Sequence, residues 1–199
     1  MPRVPSVRAH EDVLKAVLKL IAEHGIEATS VDAIAAESGV SKATIYKHWK
    51  NKDALCIEAI GQLRGRLPVF DSDDARSGVT KILKHMIGGG KHEELARLWP
   101  RIIGYAVANP AFGKAFRENG EAPRRKALTK FLRRAIAGGE LRADLDFDFA
   151  MDLLVGPIMH RRFMNSTPAP SSFARRIVDA FWKANTAGED ARLRKKNKL

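Results

Sequence analysis

Two short helical segments, joined by a tight turn, lie between residues 30 and 49. Ser30 and Ser41 are typical N-cap residues, because a serine hydroxyl can accept a hydrogen bond from a free N–H group in the first turn of a helix. Gly39 predicts the end of the first segment, since glycine readily adopts the left-handed backbone found after a helix. Two such helices around the turn at residues 38–40 predict a helix-turn-helix motif.

Longer helices are predicted on both sides of this motif. The first covers His10–His24 and ends at Gly25, and its apolar residues recur with helical spacing at Val13, Ala16, Val17, Leu20 and Ile21. Asn51 predicts the N-cap of a fourth helix, whose apolar face is formed by Leu55, Ala59, Ile60, Leu63 and Leu67. Cys56, the single cysteine of the chain, falls on this helix and is interpreted as a packing residue.

The second half of the chain is also predicted to be helical. Glycine runs at residues 88–90 and 138–139, Asn109-Pro110 and a loop over residues 168–172 divide it into helices. The predicted helices lie near residues 73–88, 93–108, 111–138, 147–165 and 171–186. Gly156-Pro157 is expected to kink the fourth of these helices. No segment shows the alternation that indicates a strand, so we expect an all-α fold of about nine helices. The expected domains are a helix-turn-helix domain over 1–60, a helical domain over 61–190 and a basic tail over 191–199.

The second helix of the motif has the pattern of a helix that reads DNA. Ile45 and Trp49 are four residues apart and are expected to bury against the preceding helices. The opposite face combines a small side chain with polar and basic ones, at Lys42, Ala43, Tyr46 and Lys47. A helix of this kind fits the major groove, where the base pairs can be told apart.

The distribution of charge supports this interpretation only locally. The chain of 199 residues carries a formal charge of +12, but residues 1–60 contain as many acidic as basic residues. Residues 41–52 contain four lysines and no acid. Ser30 and Lys52 begin helices and are expected to contact phosphate, where backbone N–H groups also point outward. The candidates for base edges or nearby phosphates are Lys42, Thr44 and Lys47, and Tyr46 and His48 can contribute further donors.

Residues 30–55 resemble the DNA-binding signature of the tetracycline-repressor (TetR) family. The matching positions are Ser30, Ile34, Ala35, Gly39, Val40, Ser41, Thr44, Tyr46, His48, Lys52 and Leu55, and Trp49 stands where the family usually has phenylalanine. The resemblance implies contacts to the DNA backbone from Ser30, Thr44, Tyr46, His48 and Lys52. Ser41 is a further DNA-binding candidate. It implies a base-reading face formed by Lys42, Ala43 and Lys47. Asp32 would also lie near DNA, where an acidic side chain is a poor phosphate contact.

A weaker resemblance extends over residues 139–164 to the C-terminal domain of one TetR subgroup. The family resemblance as a whole implies a ligand pocket in the C-terminal domain, for which the sequence offers Trp99, Tyr105, Phe112, Phe116, Phe131, Met151, Met159 and Phe163. The subgroup resemblance implies dimerisation through the last two helices. The candidate interface residues are Phe173, Ile177, Val178, Phe181 and Trp182, and the alternative is that these side chains pack within one protomer.

The expected function is therefore a repressor that binds a palindromic double-stranded DNA operator as a homodimer and is released by a small-molecule effector. Neither His10-Glu11 nor His92-Glu93 completes a zinc motif, so we expect no enzyme, cofactor or metal site. No apolar run approaches 18 residues and no secretory pattern is present, which predicts a cytoplasmic protein without membrane contact. A sequence-indifferent nucleic-acid binder and a ligand sensor that has lost its operator are the alternatives.

Overall fold

A computed structural model describes residues 7–64, 68–88, 92–164, 169–170 and 172–187. Within these ranges the chain forms ten α-helices and no β-strand, which confirms the predicted all-α fold. The helices are α1 (Val7–Ala28), α2 (Val31–Ser38), α3 (Lys42–His48), α4 (Lys52–Arg64), α5 (Ala75–Gly88), α6 (His92–Ala108), α7 (Pro110–Gly120), α8 (Ala122–Gly138), α9 (Phe147–Met164) and α10 (Phe173–Asn185).

The helices form two compact units. Unit 1 contains α1 to α4 together with α6 and α7, and unit 2 contains α5 together with α8 to α10. Unit 1 is larger than the predicted N-terminal domain of residues 1–60, because two helices from the second half of the chain pack with it.

Unit 1 is organised around the apolar face of α1. Gly25 has a φ of 83°, so the predicted helix end at this residue becomes a kink within a longer helix. The buried hydroxyl of Thr29 donates to the Gly25 carbonyl at 2.7 Å and satisfies a backbone group that the kink frees. The core that forms here includes Val13, Val17, Ile21, Ile34, Ile45, Leu55, Ile60, Ile102 and Phe112.

Unit 2 has its own core, to which α5, α8, α9 and α10 all contribute. Its largest contributors include Ile82, Leu83, Phe131, Leu132, Leu154, Phe181 and Trp182. The segment after α8 is tied to the end of α10, since Arg142 N–H donates to the Asn185 carbonyl at 3.0 Å. The indole of Trp182 donates to Glu140 at 3.2 Å and strengthens the same connection.

The prediction of a single helix over residues 111–138 was wrong. Residues 111–138 form two helices, α7 and α8, instead of one, and this accounts for the tenth helix. The chain leaves the first helix at Gly120, which has a low helix propensity. Pro123 then lies in the first turn of α8, where its missing N–H group costs little. By contrast, α9 continues through Gly156-Pro157 to Met164.

The thiol of Cys56 is expected to be chemically inert in the folded protein. Cys56 is fully buried in unit 1, and burial raises its pKa to about 12. Because the thiolate is the reactive form, alkylation by iodoacetamide at pH 8 should be at least about a thousandfold slower than for an exposed thiol. Mass spectrometry would measure this, with an Ala22→Cys variant as the exposed control and unfolded protein as the positive control. Equal rates for Cys56 and the control would contradict its burial.

Candidate nucleic-acid interface

The two short helices of the motif are fixed by the capping residues that the sequence predicted. The Ser30 side chain accepts from the Ala33 N–H at 3.1 Å and begins α2. Gly39 follows α2 in the left-handed conformation, with a φ of 69°, and donates back to the Ala35 carbonyl. The Ser41 side chain accepts from the N–H of Thr44 at 3.2 Å and begins α3. These contacts confirm the predicted helix-turn-helix.

Helix α3 has one buried side and one exposed side. Ile45 is 1% exposed and Trp49, the residue directly after the helix, is 4% exposed, which confirms that they anchor the helix in unit 1. Tyr46 is 56% exposed. The other exposed side chains of the helix are Lys42, Ala43, Lys47 and His48, whereas Thr44 is half-buried with its hydroxyl 2.9 Å from that of Ser41. Because one side of α3 is packed in unit 1, its polar side is accessible to a binding partner.

Lys42 is engaged by an acidic residue from the neighbouring helix. Its ammonium lies 2.5 Å from a carboxylate oxygen of Asp32 in the first turn of α2. The hydrogen bond that Lys42 donates to Asp32, followed by the negative charge of Asp32, raises the pKa of Lys42. Both side chains are largely exposed, so the pair is screened by solvent. Lys42 must exchange Asp32 for any group on DNA, which reduces the net gain from that contact.

The C-terminal end of α3 is held by Glu58, a residue that no sequence pattern had singled out. The Trp49 indole donates to Glu58 of α4 at 2.7 Å, and the other carboxylate oxygen of Glu58 lies 2.7 Å from Nε2 of His10. The His10 ring stacks on Trp49 with centroids 4.6 Å apart, and His48 lies at 5.6 Å from the same indole. Glu58 therefore joins α1, α4 and the end of the recognition helix.

The ammonium group of Lys52 makes its contacts within unit 1. The group donates to the carbonyls of Ile26 and Glu27 at 2.9 and 3.3 Å, and it lies 5.6 Å from the centre of the Tyr105 ring. These hydrogen bonds satisfy two carbonyl groups in the last turn of α1. The ammonium also interacts favourably with the negative C-terminal end of the helix dipole. The phosphate contact expected of this side chain remains a prediction, and it would require the ammonium to leave these carbonyls.

Tyr105 contributes a second internal contact beside α4. Its hydroxyl donates to Asp53 at 3.2 Å. Burial, followed by the charge of Asp53, raises the pKa of Tyr105. The phenol therefore remains neutral and keeps its role as donor over the ordinary range of pH.

Comparison with known families agrees with this geometry. Residues 13–59 match the family described as bacterial regulatory proteins, tetR family, and residues 69–181 match the tetracyclin repressor-like C-terminal domain. Together these matches cover most of the chain. The protein belongs to the TetR family. Members of this family are DNA-binding transcriptional regulators with a helix-turn-helix and are not enzymes.

Individual relatives extend over nearly the whole chain. The HTH-type transcriptional regulator YdeS of Bacillus subtilis is 32% identical over 172 residues, which is 85% of each chain. The crystal structure of the TetR family regulator SCO0332 is 27% identical and has a TM-score of 0.60, covering 88% of this chain and 97% of that one. The flavonoid-responsive regulator FrrA is 26% identical, with a TM-score of 0.65 and coverage of 90% and 97%.

The side chains predicted to line a ligand pocket are divided between the two units. Trp99, Tyr105, Phe112 and Phe116 belong to unit 1, where Phe112 packs against both Tyr105 and Phe116. Phe131, Met151 and Met159 pack in or against the core of unit 2. The side chain of Phe163 lies outside those that the structure describes. Neither unit by itself therefore gathers this set into one site, and the pocket remains a prediction.

The residues predicted at the dimer interface are mostly used inside unit 2. Ile177, Val178, Phe181 and Trp182 are buried in its core, and Phe173 is half-buried against it. This is the packing that the alternative interpretation of the sequence described. The exposed apolar side chains of unit 2 include Phe149 and Leu153 on α9, at 60% and 39% exposure. A groove of about 350 Å³ that includes Leu153 is further lined by Pro157, Phe173, Arg176, Ile177, Ala180, Phe181 and Ala184.

The described residues also bear on whether the chain has a membrane span or a metal site. No helix among the described residues is long and apolar enough to cross a membrane. In the same part of the chain, no three histidine, cysteine or acidic side chains come together in a way that would hold a metal ion. The basic tail over 191–199 lies outside the described residues.

Proposed function

We propose that this protein is a ligand-responsive repressor that binds a palindromic operator as a dimer. The observation that carries the proposal is the exposed polar face of α3, held in place by buried Ile45 and Trp49 on its other side. A short, rigidly anchored helix of this kind matches the width of the major groove. The DNA-reading part would be residues 1–60, the regulatory part residues 61–190, and the site of action the cytoplasm.

Dimerisation is supported by the apolar surface of unit 2. Phe149 and Leu153 of α9 are exposed, and Leu153 also lines the groove beside α10. Exposed apolar surface of this kind favours a partner, and a two-fold dimer uses the same surface on both copies. Such a dimer presents two copies of α3 to half-sites about 34–36 Å apart, or one turn of DNA. The operator is therefore expected to be an inverted repeat.

Regulation by a small molecule is supported by a relative and by thermodynamic linkage. FrrA, at 26% identity, is described as flavonoid-responsive. An effector that binds more tightly to a conformation with weak DNA affinity lowers DNA binding, and DNA lowers effector binding by the same free energy. Repression follows if the bound dimer obstructs the polymerase.

Genomic selection tests the proposed activity directly. Purified protein is incubated with sheared genomic DNA at about 150 mM salt, which screens loose phosphate contacts, and the retained fragments are sequenced. Enrichment of a few fragments that share an inverted repeat would support a specific regulator. Uniform retention would instead favour a sequence-indifferent binder, and no retention would favour a sensor that has lost its operator.

The base-reading face can be tested with the recovered operator. Tyr46→Ala and Lys42→Ala should each weaken specific binding, by roughly 1–3 kcal/mol for a full base contact. The smaller effect is expected for Lys42, because it gives up its ion pair with Asp32 when it meets DNA. Fluorescence anisotropy would compare the operator with an unrelated duplex. Lys15→Ala, which removes an exposed lysine of α1, controls for net charge. Unchanged affinity for both variants would show that the base-reading residues lie elsewhere.

A further inference from the structure

A groove of about 820 Å³ runs between α4 and α7 inside unit 1. Small residues on both helices give it depth, among them Ala54, Gly61 and Ala115, and the ring of Phe112 contributes to its floor. A Cβ at Gly61 would meet no atom within 4 Å, so the space beside this glycine is open. The volume lies within the range of sites that hold drug-sized molecules. Among the pocket candidates whose side chains the structure describes, Phe112 is the one that lines this groove.

The groove has a distinctive charge for a chain with a net charge of +12. Two carboxylates, Asp53 and Glu58, line it, and none of the described residues along it is lysine, arginine or histidine. Asp53 accepts a hydrogen bond from the Tyr105 hydroxyl. Because the hydroxyl is a neutral donor, this contact does not neutralise the negative charge of Asp53. Carboxylates beside an apolar wall attract a positive group attached to an apolar body.

We propose that this groove is an effector site for an organic cation with a compact apolar body. The apolar part would lie over Phe112 and between the small residues of the two helices. The positive group would lie between Asp53 and Glu58. As a regulatory site the inference rests on the proposed function, whereas as a binding site it stands on the groove alone.

Glu58 provides the connection from this groove to the recognition helix. One of its oxygens accepts from the Trp49 indole and the other lies within hydrogen-bonding distance of His10, both at 2.7 Å. Trp49 is the residue that ends α3. A cation in the groove competes for the same carboxylate, so it weakens the contact that fixes the end of α3. Binding in the groove is thereby coupled to the geometry of the DNA-reading face.

The binding step is tested with benzyltrimethylammonium, using the full-length protein and an amide NMR titration. We expect a dissociation constant of about 0.1–1 mM, with shifts concentrated in α4 and α7. Benzenesulfonate, which has the same aromatic ring with the opposite charge, should bind at least about tenfold more weakly. Equal binding of the two ions, or shifts confined to other helices, would overturn the proposal.

Four variants separate the groove from the rest of unit 1. Asp53→Asn and Glu58→Gln should each weaken the cation about threefold, as expected for exposed charges, and leave benzyl alcohol unaffected. Gly61→Leu should fill the groove and abolish binding. Gly104→Leu is its matched control, because this helical glycine is also open to added side-chain atoms but does not line the groove. Equal loss in the two leucine variants would overturn the site.

The regulatory step is measured separately on the selected operator. Saturating benzyltrimethylammonium should weaken operator binding by wild type at least about threefold and should have no effect on the Gly61→Leu variant. Cation binding with unchanged operator affinity would overturn the coupling through Glu58. If no operator is recovered, the proposed function fails, and the NMR titration still decides whether the groove binds cations.

Discussion

Replacing Gly113 with alanine is expected to destabilise the protein by about 2 kcal/mol, the opposite of the usual effect of alanine inside a helix. Gly113 is buried in α7, where this helix crosses α6. A Cβ at this position would lie 2.4 Å from the carbonyl oxygen of Ala106, which is far inside van der Waals contact. Because the obstructing atom belongs to the backbone of α6, it cannot rotate away as a side chain would, and the two helices would have to separate.

Gly104→Ala is the control for this prediction. Gly104 is an exposed glycine of α6, and a Cβ there meets nothing within 4 Å. The variant should gain about 0.5–1 kcal/mol from the lower entropy of its unfolded chain. Thermal unfolding at equal protein concentration should place Tm roughly 4–8 °C below wild type for Gly113→Ala and slightly above it for Gly104→Ala. A Gly113→Ala protein as stable as wild type would show that the helix crossing relaxes without cost.

Replacing Leu153 with aspartate is expected to convert the proposed dimer into a monomer. Leu153 is a partly exposed apolar residue of α9 and also lines the groove beside α10. In a two-fold interface the new carboxylate occurs in both copies, so two like charges are brought together and each loses hydration. The dissociation constant of the dimer should rise at least about 100-fold, which corresponds to roughly 2.7 kcal/mol. Operator affinity should fall with it, because half-sites are then bound separately.

Sedimentation equilibrium would measure the change against the protomer mass of 22.0 kDa. Val107→Asp is a matched control, since Val107 is an apolar residue of α6 that is 77% exposed. It should leave the mass and the operator affinity as in wild type. A Leu153→Asp protein that remains a dimer would place the interface on another face.

The helix-turn-helix could be predicted because its signals are local. Ser30, Gly39 and Ser41 each act on backbone groups no more than four residues away, so a short stretch of sequence contains the whole interaction. The burial of Ile45 followed from its spacing to Trp49 on one helical face. The break between α7 and α8 was also local, at Gly120 and Pro123. Its signal was present in the sequence, but a proline in a first turn does not by itself distinguish a new helix from a continuing one.

The roles of several site residues depended on contacts between distant parts of the chain. Lys52 looked like a phosphate ligand from its position, yet its ammonium contacts carbonyls that precede it by about 25 residues. The interpretation of Asp32 changed in the same way once its ion pair with Lys42 was visible. A periodic pattern shows which side of a helix is apolar, but it cannot show which element covers that side. For this reason Val178 and Trp182, predicted at a dimer interface, pack in the core of unit 2.

The residue sequence alone thus specified an all-helical chain with a recognition helix and the face that this helix exposes. These properties arise from hydrogen bonds and apolar spacing within one or two helical turns. Packing supplied the remaining features: the attachment of Trp49 to Glu58, the acidic groove between α4 and α7, and the close crossing at Gly113. Each of these joins helices that are separated along the chain, so its geometry exists only when the apolar faces have met.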